Sequence, residues 1–376
     1  MDIELNEMQL LLKNRARELS QKEFGPLAAE IDERDEFASV YLEGLKKAGF
    51  LGMHLPVTYG GSGQGQLSQA VVQEEIAEVS LAAGSMLENH RMSSSAILYS
   101  GSEEQRCRFL PSMASGENIG AFAVTESEAG SDVYAMKCEA KLSGNDYVIN
   151  GTKSLVSLAG VANVIIILAK TDPKAISAFI VTADSPGFAW GKYEKKMGQH
   201  GICTGDIVFE DCHVTRENLL GVEGKGLRVA LEVLNSARIM VGAQALGIAK
   251  AAYKAALNYA KQRVAFNKPI AEHQAIGFML ADMDIGLQAM RLMVYWAANL
   301  ADKKGASPAK ESAMVKVFNS EMAHQIVDKA LQIHGGWGYT KVFPVERYYR
   351  DQRVTQVYAG TSEMMRRTIL HFLLRE

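Results

Sequence analysis

Cysteine is scarce: Cys107, Cys138, Cys203 and Cys212 are the four in 376 residues, with no CxxC pair and no metal-ligand spacing to the eight histidines. That excludes a disulfide scaffold and a cysteine–histidine metal centre as organising features, and it points to a reducing compartment. An excess of one charge is lacking too. Forty lysines and arginines against 43 aspartates and glutamates leave −3. No global field draws nucleic acid or an anionic membrane, so an anionic ligand has to be held locally. The longest apolar stretch, Val161 to Ala169, is interrupted by Asn163 and is far too short to span a bilayer as a helix. The first residues, MDIELNEMQLLLKNRARELSQKEF, alternate charge with apolar residues at helical spacing and lack the apolar core and cleavage site of a signal peptide. A cytoplasmic location is expected. What is present is an ordinary globular composition, 48% hydrophobic and 22% charged, over a length that suits roughly two to three domains.

The periodicity divides the chain into three. Over residues 1–118 apolar positions recur at three and four (Leu10, Leu11, Ala16, Leu19; Val40, Leu42, Leu45; Val71, Val72, Ile76, Val79), which predicts an all-α domain. It is broken at His54-Leu-Pro-Val-Thr-Tyr-Gly-Gly-Ser-Gly63, a loop that covers a site or merely connects. Over 119–225 short β-branched runs (Tyr147–Ile149, Val164–Leu168, Ile176–Val181, Asp206–Phe209) alternate with turn clusters, which predicts an antiparallel sandwich or barrel. Over 226–376 long 3.6-period stretches, roughly Gly226–Arg263, Glu272–Lys304 and Ser307–His334, predict a helix bundle. The expected architecture is multidomain α and β, in the order α, β, α.

Three segments carry groups suited to a cofactor. Val124-Thr-Glu-Ser-Glu-Ala-Gly-Ser-Asp132 follows a strand and offers backbone N–H groups with the Thr125 and Ser131 hydroxyls; a bland turn uses the same residue types. Gln332-Ile-His-Gly-Gly-Trp-Gly-Tyr339 ends a helix with glycines that either allow close approach of a phosphate or simply cap the helix. Arg263-Val-Ala-Phe266 followed by Glu272-His-Gln274 sets a cation, an aromatic ring and an amide around one turn, fit for a pyrophosphate and a planar heterocycle.

Their joint order, together with Pro56-x-x-Tyr-Gly-Gly61, Phe122-Ala-Val-Thr-Glu126, Ala129-Gly-Ser-Asp132, Lys196-Met-Gly198, Phe209-Glu-Asp-Cys212, His273-Gln-Ala-Ile276, Pro344-Val-Glu-Arg347 and Tyr358-x-Gly-Thr-Ser362, resembles the acyl-CoA dehydrogenase family of flavoproteins across nearly the whole chain. The resemblance implies an N-terminal helical domain, a middle β-domain, a C-terminal four-helix bundle and FAD bound between them in a homotetramer. By position it implies that Val124, Thr125 and Ser131 contact the flavin and pyrophosphate and that Ser157 touches the isoalloxazine. It implies that Arg263, Phe266, Gln274, Gln332, Gly335 and Gly336 hold the ADP half across a subunit interface, with Thr361 and Glu363 completing the site. Arg238 falls near the reacting thioester, and Ser131, Arg238, Tyr358 and Gly360 are expected to line the substrate. The implied partners are an acyl-CoA or acyl-carrier thioester and an electron-transferring flavoprotein; no metal, nucleic acid or membrane span is expected.

The chain departs from that pattern where the chemistry sits. The family's usual base, the glutamate of Tyr-Glu-Gly-Thr, is Ala359 here, and the position used by a minority of members is Ala237. A positioned base contributes roughly 10²- to 10⁴-fold in rate, so conventional α,β-dehydrogenation should be slow or absent. Leu155 stands where relatives carry a tryptophan against the flavin, and His200 replaces an arginine. In compensation, Ala82-Ala-Gly-Ser-Met-Leu-Glu-Asn-His-Arg-Met92 lies on the helix that the resemblance puts at the far end of the acyl pocket, which makes Glu88 the candidate relocated base. The competing reading pairs Glu88 with Arg91 at i, i+3, worth a few tenths of a kcal/mol. His90 is better read as a satisfied polar residue, and His273 and His334 as neighbours of the cofactor. The chemistry that fits a moved base is a vinylogous, 1,4-type dehydrogenation of a cyclic or α,β-unsaturated acyl-CoA. Alternatives are a thioester dehydrogenase with another base, a flavin oxidase or monooxygenase, and a non-catalytic binding protein.

Overall fold

The structure, a computed structural model, describes residues 4–375. Its first part holds α1 (Glu7–Leu19), α2 (Ala28–Arg34), α3 (Ser39–Lys47), α4 (Gln66–Ala77), α5 (Leu81–Ser100) and α6 (Glu103–Ser115). Starts are written in the sequence: Asn6 with Gln9, and Ser102 with Gln105, form reciprocal capping boxes on α1 and α6. The glycine loop before α4 is packed. Leu55 is fully buried, and a Cβ added to Gly61 would lie 2.0 Å from the Leu55 carbonyl oxygen.

The middle part is one eight-stranded sheet made of β1 (Gly120–Ala123), β2 (Glu139–Ser143), β3 (Asp146–Ser157), β4 (Val164–Asp172), β5 (Ala175–Thr182), β6 (Phe188–Tyr193), β7 (Thr204–Thr215) and β8 (Leu219–Leu220). The order is β6-β7-β3-β2-β4-β5-β8, with β1 also on β4. The expectation of a purely antiparallel sheet needs correction, because β1 and β2 both run parallel to β4. The reason lies in the connection. Gly120–Ala123 pairs with Val164–Ile167 and Glu139 with Lys170 on the same strand, so residues 124–138 are an excursion out of what is otherwise one line of chain. Along β4, Ile165 and Ile167 join one hydrophobic cluster while Val164, Ile166 and Leu168 join another. A strand covered on both faces reads as a continuous apolar run, which is why Val164–Leu168 does not alternate.

The last part is built on α7 (Gly226–Gln262), α8 (Gln274–Lys304) and α9 (Ala309–His334), followed by α10 (Val345–Gln352) and α11 (Ser362–Leu373). A two-residue hairpin, β9 (Val264–Ala265) and β10 (Lys268–Pro269), joins α7 to α8. Helix α7 is lined with alanine and glycine so that its neighbours come close: a Cβ on Gly242 would sit 2.4 Å from Val315, and one on Gly247 2.4 Å from the Glu74 carbonyl oxygen. Buried ion pairs tie α4 to the bundle. Glu74 accepts from Arg291 (3.1 Å) and Tyr295 (3.1 Å), and Glu75 from Arg17 (2.9 Å) and Lys250 (2.8 Å).

Candidate active site

The 124–138 excursion is held by one carboxylate. Glu126 accepts from the backbone N–H groups of Lys137 (2.6 Å) and Cys138 (3.1 Å) and from the Lys153 ammonium at 2.6 Å. Lys153, fully buried, also donates to the Val124 carbonyl at 3.3 Å. Val124 and Thr125 are thereby fixed beside β3, where the Ser154 N–H donates to the Thr125 carbonyl at 2.8 Å. A register break between Lys153 and Val156 turns Leu155 outward at φ 57°, and β3 ends at Ser157. Val124, Thr125, Leu155 and Ser157 are brought to one end of the sheet. Ser131 lies on the excursion and is exposed.

The second group collects at the ends of the bundle helices. Arg263 follows the last residue of α7, Gln274 opens α8, and Gln332 is in the last turn of α9. Arg263, His334, Gly335 and Gly336 line one cavity of about 580 Å³. Gly335 has φ 59° and ψ −141°, a conformation that other residues adopt only under strain. A Cβ on Gly335 or Gly336 would meet nothing within 4 Å, so the backbone there is open to a close-lying group. Phe266 and Asn267 both have positive φ (52° and 63°), as a two-residue hairpin of the primed type requires. Phe266 is 90% exposed on that strained tip. Its ring meets the His273 ring edge-on at 5.9 Å and is otherwise open, which suits an interface. These features fit FAD: open glycine backbone and a cation for the phosphates, and pinned polar backbone with an outward Leu155 for the ring.

Residues 358–361 are pinned from two helices, α7 and α9. The Tyr358 hydroxyl donates to Gln244 at 2.8 Å, Arg238 donates to the Ala359 carbonyl at 3.3 Å, and Lys316 donates to the Gly360 carbonyl at 2.6 Å. Thr361 caps α11, and Glu363 is exposed in its first turn. Ala359 sits at φ 54°, unusual for a residue with a side chain, and this strain is held in place by those donors. Burial lowers the Arg238 guanidinium to about 10 and the Lys316 ammonium to about 7, the latter helped by repulsion from Arg238. Two desolvated cations therefore face a loop whose side chain is a methyl group. Neither Lys316 nor Gln244 was singled out in the sequence. The available signal was Lys316 on the apolar stripe of α9, between Ala313 and Ala323.

Glu88 and Arg91 form the i, i+3 pair, with both carboxylate oxygens 2.7 Å from guanidinium nitrogens. The pair is buried, at 5% and 3% side-chain exposure, and not the solvated contact worth tenths of a kcal/mol that the spacing suggested. Burial raises the Glu88 carboxyl above its usual range against the pull of Arg91. Arg91 also donates to Ser236 at 2.8 Å, one residue from the fully buried Ala237. Burial, with a smaller contribution from Glu88, pushes up the hydroxyl of the half-buried Tyr358, one residue from Ala359. His90 is satisfied on both ring nitrogens, by the Gly120 N–H and the Met113 carbonyl at 3.0 Å each. His273 bonds the Ala265 carbonyl (3.0 Å) and His334 the Ala330 carbonyl (2.8 Å). His200 lies 3.1 Å from the Asp32 carboxylate, itself paired with Arg350, and so anchors α2.

The chain matches three family descriptions in succession: acyl-CoA dehydrogenase N-terminal domain over 6–117, middle domain over 121–212 and C-terminal domain over 224–374. It belongs to the acyl-CoA dehydrogenase family. It is 44% identical to the acryloyl-CoA reductase (NADH) of Anaerotignum propionicum, over 97% of this chain and 94% of that protein. It is 40% identical to a subunit of the caffeyl-CoA reductase-Etf complex of Acetobacterium woodii, over 99% of each. The solved structure of butyryl-CoA dehydrogenase from Megasphaera elsdenii superposes with a TM-score of 0.97 at 36% identity, covering 100% of both chains. The helical, β-sheet and helical parts are the architecture of this family, whose cofactor is FAD and whose members are oxidoreductases of CH–CH groups in acyl-CoA; the chain is an enzyme of that kind. No helix among the described residues is long and apolar enough to cross a membrane, and no cluster among them could hold a metal ion.

Proposed function

We propose that this enzyme, acting in the cytoplasm, carries out an atypical dehydrogenation of a cyclic or α,β-unsaturated acyl-CoA in which Glu88, and not a residue at 359 or 237, handles the proton. Bound FAD would supply the hydride acceptor, and an electron-transferring flavoprotein would take the electrons onward. The chain's own part is to seat the thioester and move the proton. Arg238 and Lys316 hold the loop that carries Tyr358 and Gly360, and positive charge there would stabilise negative charge developing on the thioester oxygen. With no acceptor beside the α-carbon, the proton that can leave is one acidified through the double bond, at the γ-carbon. Loss of that proton to a Glu88 oxygen, with hydride loss from another carbon in the 1,4 relation and a shift of the double bond, leaves a conjugated diene thioester.

The single observation that supports this reading is a buried carboxylate, Glu88, whose partner Arg91 reaches Ser236, the neighbour of Ala237. The same group, protonated, could return a proton to an unsaturated thioester. Reduction is therefore the second reading, favoured by the reductase relatives. The outward Phe266 and the exposed Phe278, Ile285 and Leu292, seven residues apart along α8, support assembly with further copies into a homotetramer that closes the ADP site.

The test is anaerobic titration of the yellow holoenzyme with saturated, cyclic and enoyl-CoA thioesters. Glu88→Gln should keep FAD and lose roughly 10²-fold or more in turnover. Undiminished turnover removes Glu88 from the mechanism. Rapid reoxidation of reduced flavin in air supports an oxidase instead, and tight binding without bleaching by any thioester supports a binding protein.

A further inference from the structure

Lys196-Met-Gly198 opens the loop of residues 196–201 between β6 and β7, where all three parts of the chain meet. Two glycines set its contacts. A Cβ on Gly198 would lie 2.7 Å from the Asp351 backbone nitrogen on α10, and one on Gly201, at φ 98°, would lie 2.6 Å from Ile31 on α2. The Ala38 N–H donates to the Gly201 carbonyl at 2.8 Å, and Arg350 ties α10 to α2 by donating to Asp32 at 2.6 Å. Between the glycines, Gln199 is held at φ 51°, a strained value for a residue with a side chain, and is 6% exposed.

That strain is held by Asp351, itself buried, whose carboxylate accepts from the Gln199 N–H at 2.5 Å. The neighbouring Arg350 is committed to Asp32 and Glu346, so the Gln199 peptide supplies the hydrogen bond that Arg350 does not. The other end of Gln199 reaches the proposed acyl site. Its side-chain oxygen accepts from the Ser85 hydroxyl on α5 at 2.8 Å, one turn before Glu88. Burial pushes the Tyr358 hydroxyl up, and the Gln199 and Ser85 side chains, which lie against it, pull it down. One residue thus joins Asp351, through its backbone, to Ser85 and Tyr358, through its side chain.

We propose that Asp351 and Gln199 are positioning residues for the acyl group: the Asp351 carboxylate fixes the Gln199 backbone, and the Gln199 side chain places Ser85 and Tyr358. This rests on the acyl-thioester reading above and deepens it. The arrangement uses the charge of the carboxylate, because a charged acceptor holds an N–H more strongly than a neutral one. Burial pushes Asp351 up to about 6, with repulsion from Asp32 adding to it, against the Gln199 N–H, Arg347 and Arg350. Tyr41 on α3, Tyr348 on α10 and Tyr358 also act on this carboxyl or feel it, and His200 lies 3.1 Å from Asp32. Above about 6 the carboxylate is charged and Gln199 is held tightly. Below it, protonation weakens the bond to Gln199 and loosens Tyr358.

The experiment measures the affinity of the holoenzyme for crotonyl-CoA and for acetyl-CoA between pH 5 and pH 8, by perturbation of the flavin spectrum. Their ratio cancels the titration of the shared carrier and reads how the acyl carbons beyond the α-carbon are seated. In the wild type the preference for crotonyl-CoA should fall roughly fivefold as the pH drops through about 6. Asp351→Asn, neutral at every pH, should show the low preference with no inflection. Gln199→Asn keeps the backbone N–H and tolerates positive φ, but its side chain is one carbon shorter; it too should be low and flat. A flat wild-type ratio overturns the proposal. So does an inflection that survives in Asp351→Asn, which assigns it to Glu88 or His200. An inflection that survives in Gln199→Asn overturns it as well, because Asp351 then acts through the packing of the three parts and not through Tyr358. Should neither thioester perturb the flavin, the acyl-thioester reading falls and the proposal with it, a result distinct from two that bind in constant ratio. The wild type and Gln199→Asn decide the matter even if Asp351→Asn fails to fold.

Discussion

Two segments of the proposed site are opposites. Residues 358–361 have complete positioning and no reactive side chain: three donors hold a strained Ala359 whose methyl group can take no proton. Residues 88–91 have the reactive group and almost no freedom, since Glu88 is clamped at 2.7 Å on both oxygens and buried. Backbone geometry and chemical capacity are thus separable: a loop can keep its shape through contacts to its carbonyls whatever side chain it carries.

The sharpest way to break this contrast is to restore the side chain. Ala359→Glu should raise the rate of flavin bleaching by a straight-chain saturated acyl-CoA by roughly 10²- to 10⁴-fold, because the loop already has its conformation. No gain in anaerobic stopped-flow traces means that the loop is not poised. Next in size is the clamp. Arg91→Leu leaves Glu88 as an unpaired buried charge and should cost about 3–5 kcal/mol at neutral pH, read from urea unfolding, with part recovered in the Arg91→Leu, Glu88→Gln double variant. Equal destabilisation of single and double variants would mean that packing, not charge, dominates.

A smaller effect is expected at the cofactor cradle. Gly335→Ala forces a side chain into φ 59°, ψ −141° and should cost about 1–3 kcal/mol, with faster loss of FAD on dilution as the readout. The smallest is the pH slope set by Lys316. Its folded-state value, about 7, lies below the ordinary 10.5. The unfolded chain therefore binds more protons between those limits, and stability rises with pH across that window. The penalty is fully present below about 7 and is gone above 10.5. Lys316→Met should flatten the rise of the urea midpoint between pH 7 and pH 10; an unchanged slope assigns it to other groups.

Much of the fold was legible because burial writes a period into the chain. The three long bundle helices were read to within about two residues at each end, since a helix facing a core on one side repeats its apolar residues at three and four. The parallel pairing of β1 and β2 with β4 was not legible, because β propensity does not encode which neighbour a strand meets. At the site, the alanines at 359 and 237 were plain from residue identity. The burial of the Glu88–Arg91 pair was not, because i, i+3 spacing is the same on a wet face and on a dry one.

By itself, then, the sequence determined which groups exist: the order of α, β and α parts, the glycines and cations that can approach a phosphate, and the absence of a base at two positions. Only the tertiary structure decided what those groups are worth. Dielectric surroundings and hydrogen-bond partners come from chain segments far apart in sequence. Lys316 is depressed because the bundle core buries it beside Arg238, and the Glu88 carboxyl is buried because α7 closes over α5.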